Sequence, residues 1–305
     1  AKTRDKVEQA ASELGYAPSA LASGLSTGRT KLIGLVSNHF RNPIFLEAFD
    51  LFTRAIQDRG LRPLLVNLSG DTDPGAAIRM LRQYSVDAVI VASSTLSPAF
   101  AAECKAAGLP VVHAFGRATQ RPVVPVVGID NVEAGRMAAQ ALLARGYRDI
   151  GFLGGPATAT TTQDRLAGFR EELSRHPGTR LRDSFADSYS HDAGAAEMAR
   201  LIESGPLAEA YFCGDDVIAI GALGALHKAR RDVPRDVGLI GFNDMEAASW
   251  GLVSLTTIRQ PLDEIIAASV GQAIALSEQP ETAATQTLLP LTLIERGTLR
   301  PKMGT

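Results

Sequence analysis

Polar and aromatic side chains repeatedly follow apolar runs in this chain: Ser37-Asn38, Ser93-Ser94, Phe115, Asp130, Thr160-Thr161-Thr162, Tyr189, Asp215-Asp216 and Asn243-Asp244. Hydroxyls, amides and carboxylates beside aromatic faces suit the gripping of a small ligand by hydrogen bonds. Arg165 adds a planar fork that can hold vicinal hydroxyls or an acid bidentately. It falls in the first turns of a helical stretch, where the helix dipole offers an arginine nothing, so a ligand or a buried carboxylate is the reason for it.

Bond-breaking chemistry finds less support. Gly24-Leu25-Ser26-Thr27-Gly28 spells a serine-hydrolase elbow, but that motif needs a strand before the serine and a helix after it, and here an Ala-rich helix precedes and a strand follows. His39, His113, His176, His191 and His227 show no metal-ligand spacing, and no glycine-rich loop has the pattern that cradles a pyrophosphate. Cys104 and Cys213 lie far apart in or beside apolar segments, which argues against a disulfide framework or a zinc site. The chain reads as a binder and not an enzyme, with no metal and no cofactor expected.

The elements that would position these groups alternate. Apolar runs at 32–37, 63–68, 86–92, 110–115 and 123–129 are interleaved with amphipathic stretches at 43–59, 74–84 and 98–107. After Asn131 a second series begins, with a helix to 145, strands at 150–154, 185–189, 210–214 and 237–242, and helices at 162–175, 193–204 and 217–228. Continuous apolar strands separated by helices predict parallel sheets covered on both faces. A further strand at 255–258, a helix at 262–277 and a strand at 287–295 are too little for a third domain and must join existing sheets. In open sheets of this kind, ligands meet the carboxyl ends of strands, so the polar loops could line one cleft.

Of 305 residues, 45% are hydrophobic and 21% charged, with a formal net charge of -2, which suits about two soluble domains. No apolar run approaches the roughly 18 residues that span a bilayer, and no signal-like segment opens the chain, so no membrane contact and a cytoplasmic location are expected. The near-neutral charge argues against nucleic acid binding by the body of the protein. Lys2, Arg4, Lys6 and Arg29 gather positive charge near the terminal arm, as a nucleic-acid contact or as a solvated face. In that arm Val7, Ala10, Ala11 and Leu14 repeat at helical spacing, Gly15 supplies a stop, and Pro18-Ser19 reopens a short helix that runs to Leu25. Gly24 weakens that helix by roughly 1 kcal/mol relative to alanine, and a helix so short is marginal in water.

This arm, together with Asn42-Pro43-Ile44-Phe45, Val86-Asp87-Ala88-Val89, Val127-Gly128-Ile129-Asp130-Asn131, Gly154-Gly155-Pro156, Arg165-Leu166-Ala167-Gly168-Phe169, Phe212-Cys213-Gly214-Asp215-Asp216, Val237-Gly238-Leu239-Ile240-Gly241-Phe242 and Leu255-Thr256-Thr257-Ile258, resembles the LacI/GalR (lactose-repressor) family of transcription regulators. The resemblance covers nearly the whole chain, in the family's order and spacing. It implies a two-lobed, periplasmic-binding-protein-like α/β fold with three crossovers, near Asn131, Arg259 and Leu289. Residues 1–30 then hold the remnant of a helix-turn-helix headpiece, a hinge helix and a linker. Residues 31–131 with 261–288 form an N-terminal lobe, and 132–260 with 289–305 a C-terminal lobe. By position the hinge residues Ser19, Ala20, Leu21, Ser23 and Leu25 are expected at operator DNA, with Leu25 as the wedge between base steps; without DNA the hinge is expected to fray.

The same resemblance carries the family's effector pocket onto Ile44, Phe45, Ser94, Phe115, Asp130, Thr161, Arg165, Tyr189, Asp215 and Asn243. Phe45 is equally a core candidate, in a stripe with Phe49, Phe52 and Ile56. Asp130 either accepts from ligand hydroxyls, the favoured reading, or caps the following helix. Asn243 offers an amide where the family commonly has a carboxylate, and Ala159 stands where purine-binding members carry arginine. A neutral sugar, with Phe115, Tyr189 or Trp250 stacking on its apolar face, is the expected effector. The chain closes without a leucine heptad, so the resemblance implies a homodimer that regulates, and more specifically represses, transcription. The rival is a periplasmic-type sugar-binding component of a transporter.

Overall fold

The computed structural model describes residues 28–38, 42–68, 73–94 and 96–303, together with residues 6, 9, 10, 13 and 14. The five residues expected at DNA, Ser19, Ala20, Leu21, Ser23 and Leu25, lie outside the described residues.

The first series runs β1 (Leu32–Ser37), α1 (Pro43–Gln57), β2 (Arg62–Asn67), α2 (Pro74–Gln83), β3 (Ala88–Ala92), α3 (Pro98–Ala106), β4 (Val111–Ala114) and β5 (Val126–Gly128). The second runs α4 (Asn131–Leu143), β6 (Asp149–Gly154), α5 (Thr160–Ser174), β7 (Arg180–Phe185), α6 (His191–Glu203), β8 (Ala210–Cys213), α7 (Asp216–Lys228), β9 (Gly238–Asn243) and β10 (Thr256–Arg259). The chain finishes with α8 (Leu262–Glu278), β11 (Gln286–Leu288) and β12 (Thr292–Ile294). Two six-stranded sheets result, ordered β11-β5-β4-β3-β1-β2 and β12-β10-β9-β8-β6-β7. Every pairing is parallel except β10 with β12. This is the α/β two-sheet architecture expected from the alternation. The chain passes between sheets after β5, after β10 and between β11 and β12.

Central strands such as β3 and β9 are buried along their whole length, because helices cover both faces and no residue needs to face water. In α1, Asn42 caps the N-terminus, Pro43 occupies the first turn, and Phe45, Phe49, Phe52 and Ile56 form a buried stripe. Late in the chain, α8 returns to cover the first sheet, packing Ile265, Ile266, Val270 and Ala273 against α1, β3 and β4. Two glycines let α4 and α5 touch backbone to backbone. A Cβ on Gly135 would sit 2.0 Å from the Arg165 carbonyl oxygen, and one on Gly168 1.9 Å from that of Val132.

Three expectations need correction. The strand expected at 185–189 is β7, Arg180–Phe185. It is an edge strand with exposed charged residues, Arg180 and Asp183, and only Ser184 buried, so it carries no apolar run. The single strand expected at 287–295 is two, because Pro290 has no N–H to continue a ladder. Its halves go to opposite sheets, β11 beside β5 and β12 beside β10. The run at 123–129 forms a strand only over Val126–Gly128. Among the described residues, no helix is long and apolar enough to cross a membrane. Cys104 and Cys213 are buried and unbridged, and burial pushes the Cys104 thiol up to about 12.

Candidate ligand-binding cleft

Between the carboxyl ends of the two sheets lies a cleft with about 480 Å³ of empty space, its open mouth included. The first sheet contributes an apolar wall. Ile44 and Phe45 project from the first turn of α1, and Phe115, just past β4, meets Phe45 and Phe52 edge-on at ring-centroid distances of 5.8 and 6.4 Å. Phe115 holds φ at 60°, a left-handed backbone that is unusual for an aromatic residue and that turns the chain at the strand end.

The second sheet contributes a polar wall, and Arg165 is its centre. The side chain is buried. Nε donates to Asn131 Oδ1 at 2.9 Å, Nη1 donates to the Gly214 carbonyl, and the guanidinium lies 3.6 Å from the centroid of the Phe242 ring. Among the described residues, Nη2 has no protein acceptor. The close packing of α4 on α5 brings Asn131 and Arg165 together. Burial pulls the arginine pKa down, and the fields of Tyr189 and Asp215 oppose that shift.

Asp215 caps α7, accepting from the Val217 N–H at 2.9 Å. Its Oδ2 accepts from Asn243 Nδ2 at 2.9 Å and, across the cleft, from Asn42 Nδ2 at 3.0 Å. Burial pushes its pKa up, while these three donors and Arg165 pull it down. Asn243, with φ at 112°, accepts from Gln260 Nε2 at 2.7 Å. The Tyr189 hydroxyl pairs with Thr161 and Thr162 at 3.0 and 2.7 Å, so the ring is tied to the start of α5.

Behind this wall Asp216 is fully buried, accepting from Thr257 Oγ1 at 2.6 Å and from the Met245 N–H at 2.9 Å. Burial raises its pKa well above the ordinary value, and neighbouring Asp215 adds to the rise. One residue before Arg165, Asp164 of α5 is gripped by Arg117 of the β4–β5 loop with two bonds, of 2.9 and 2.6 Å, so the two lobes are joined there as well.

Ile44, Phe45, Ser94, Phe115, Thr161, Arg165, Tyr189, Asp215 and Asn243 all line this cleft. Asp130 does not. Its carboxylate accepts from the Val132 and Glu133 N–H groups and caps α4, so the capping alternative is the one the geometry supports. Phe45 proves to be both core and cleft. Trp250 is 58% exposed and is not among the lining residues. Three polar lining residues were missed. Asn42 and Asn131 lay inside quoted motifs but were passed over for their neighbours, and Gln260 directly follows β10, where the strand-end rule should have found it. Among the described residues, no group of His, Cys, Asp and Glu side chains could hold a metal ion.

Residues 139–299 match the family model of a periplasmic binding protein-like domain. The ribose operon repressor of Escherichia coli (strain K12) is 30% identical over 309 residues, spanning 96% of this chain and 89% of that protein. The HTH-type transcriptional repressor PurR of Escherichia coli O1:K1 / APEC is 31% identical over 269 residues, spanning 87% and 78%. A solved complex of the transcriptional regulator CelR with cellobiose superposes with a TM-score of 0.79 at 27% identity, covering 97% of this chain and 90% of that one.

Proposed function

Because the chain belongs to the LacI/GalR family of transcriptional regulators, we propose that it is a DNA-binding repressor whose operator affinity is set by a small neutral sugar or sugar derivative held between its lobes. The observation that carries the effector class is the pairing of one buried cation, Arg165, with one buried carboxylate, Asp215, in a cleft otherwise lined by amides, hydroxyls and apolar rings. Opposite charges of equal number match a ligand without net charge. Asn42, Asn131, Asn243 and Gln260 both donate and accept, as adjacent hydroxyls require. Phe45 and Phe115 offer flat apolar faces to the C–H side of a sugar ring. The names of two relatives point the same way, one a ribose operon repressor and one solved with cellobiose.

The lobes are residues 31–131 with 261–288 and residues 132–260 with 289–305, and the membership of the two sheets supports these bounds. Effector contact falls to Ile44, Phe45, Ser94, Phe115, Thr161, Arg165, Tyr189, Asp215 and Asn243, joined by Asn42, Asn131 and Gln260. Two chains pair and present their N-terminal segments to a palindromic operator in the cytoplasm, with Leu25 of each hinge wedged between base steps. The effector changes how the lobes close, and the first lobes then carry the hinge segments together or apart.

Thermal unfolding against neutral pentoses, hexoses, disaccharides, sugar phosphates and purine bases tests this reading. A ligand at about 100 times its dissociation constant stabilises by roughly 2.7 kcal/mol. One neutral sugar class should raise the midpoint by several degrees, and Arg165→Ala should abolish the rise. A shift with purine bases alone would overturn the sugar assignment.

A further inference from the structure

A second cavity opens on the first lobe, between the β4–β5 loop and the N-terminus of α3, with about 980 Å³ of space, its open side included. Among the described residues it shares no lining residue with the cleft. Its lining contains two guanidinium groups, Arg117 and Arg121, and no carboxylate. Arg117 has a partner in Asp164, whereas the exposed Arg121 side chain has no ion pair among the described residues. Pro98, the first residue of α3, also lines the cavity.

His113 is the one titratable group of the lining that is buried, at 3% exposure. Its Nε2 stands 3.0 Å from the Ser93 carbonyl oxygen and must donate to it. Nδ1 is then the acceptor nitrogen of a ring that lines the cavity. Burial lowers the imidazole pKa, which keeps the ring neutral. Positive charge with an imidazole acceptor and a Thr119 hydroxyl, over a floor that includes Val124 and Val126, matches a ligand that brings both an acid and a hydroxyl.

We propose that this cavity is a second ligand site, for a small hydroxylated organic anion bearing a carboxylate or a phosphate ester. Arg117 couples it to the cleft. The guanidinium that would meet the anion also grips Asp164, the residue before Arg165 on α5. An anion in the cavity competes for Arg117, loosens this contact between the lobes and weakens effector binding.

Calorimetric titration of the whole chain with citrate and with ribose 5-phosphate, at matched ionic strength, tests the site and separates carboxylate from phosphate. One of the two should saturate a single site per chain. Arg121→Ala should weaken it about tenfold, as loss of a charge-assisted contact does, while leaving the thermal response to the cleft's sugar intact. Arg165→Ala should leave it unchanged. Binding abolished by Arg165→Ala and indifferent to Arg121→Ala would put the anion in the cleft and overturn the proposal. The absence of saturable binding by either compound at millimolar concentration would also overturn it.

Discussion

The two walls of the cleft are made of different chemistry. From the first sheet come Ile44, Phe45 and Phe115, packed on one another and on Phe52 as an outgrowth of the core. The second supplies Arg165, Asp215, Asn243, Tyr189 and Thr161, nearly every polar atom of which is held by a neighbour. Hydrogen-bond direction is thus built mainly into the second lobe, with Asn42 and Ser94 adding polar groups from the first, and most of the apolar contact area is offered by the first. A hydroxylated ligand would be oriented on the second wall and covered by the first. Fixed donors and acceptors reduce the ordering that binding must impose, while an apolar face gains from any ligand surface it removes from water.

Breaking the apolar wall should give the largest loss of stability. Phe45→Ala removes a buried ring that touches both Phe115 and Phe49, and urea unfolding should register a loss of about 3 kcal/mol. The order of preference among sugars should survive, because the second wall sets it. A changed order would erase the proposed division of labour.

A smaller effect probes the support behind the polar wall. The folded pKa of Asp216 is raised above its unfolded value of 3.8. The group's contribution to stability is therefore complete below that value and is lost as pH rises through the folded pKa. Asp216→Asn keeps an acceptor for the Met245 N–H and turns an amide N–H toward Thr257 Oγ1, which then accepts where it now donates. Wild-type stability relative to this variant should fall with rising pH above about 4, by no more than roughly 1.4 kcal/mol per pH unit. A flat difference across the series would mean that the two donors keep Asp216 ionised.

The smallest effect joins the walls. A double-mutant cycle on Arg117 and Asp164 should give a coupling below about 1 kcal/mol, since the arginine is 47% exposed. That coupling should fade in high salt. Persistence at high salt would identify the pair as a structural element instead of a closure contact.

Most of the fold was legible because buried parallel strands are written as unbroken apolar runs, as at 32–37 and 88–92. The misreadings fell where that code lapses, at the polar edge strand β7 and at the Pro290 interruption between β11 and β12. Cleft residues were legible where they close a strand, as Asp215 and Asn243 do. Asp130 shows the limit of that rule. It and Asn131 are adjacent polar residues at one strand end, and only backbone geometry decides which caps the helix and which reaches Arg165. Arg165 itself was recognised from its misfit with the helix dipole, but its partners Asn131 and Gly214 lie 34 and 49 residues away along the chain.

The late return of α8 and β11 to the first sheet has a consequence on the ribosome. By the time β5 emerges, the first lobe has five of its six strands but neither its second edge strand, β11, nor the helix that seals one face. At about 5–20 residues per second, completing the intervening lobe takes on the order of ten seconds. Throughout that interval the apolar surface awaiting Ile265, Ile266 and Val270 is exposed in the nascent chain, an opening for chaperones and for aggregation alike.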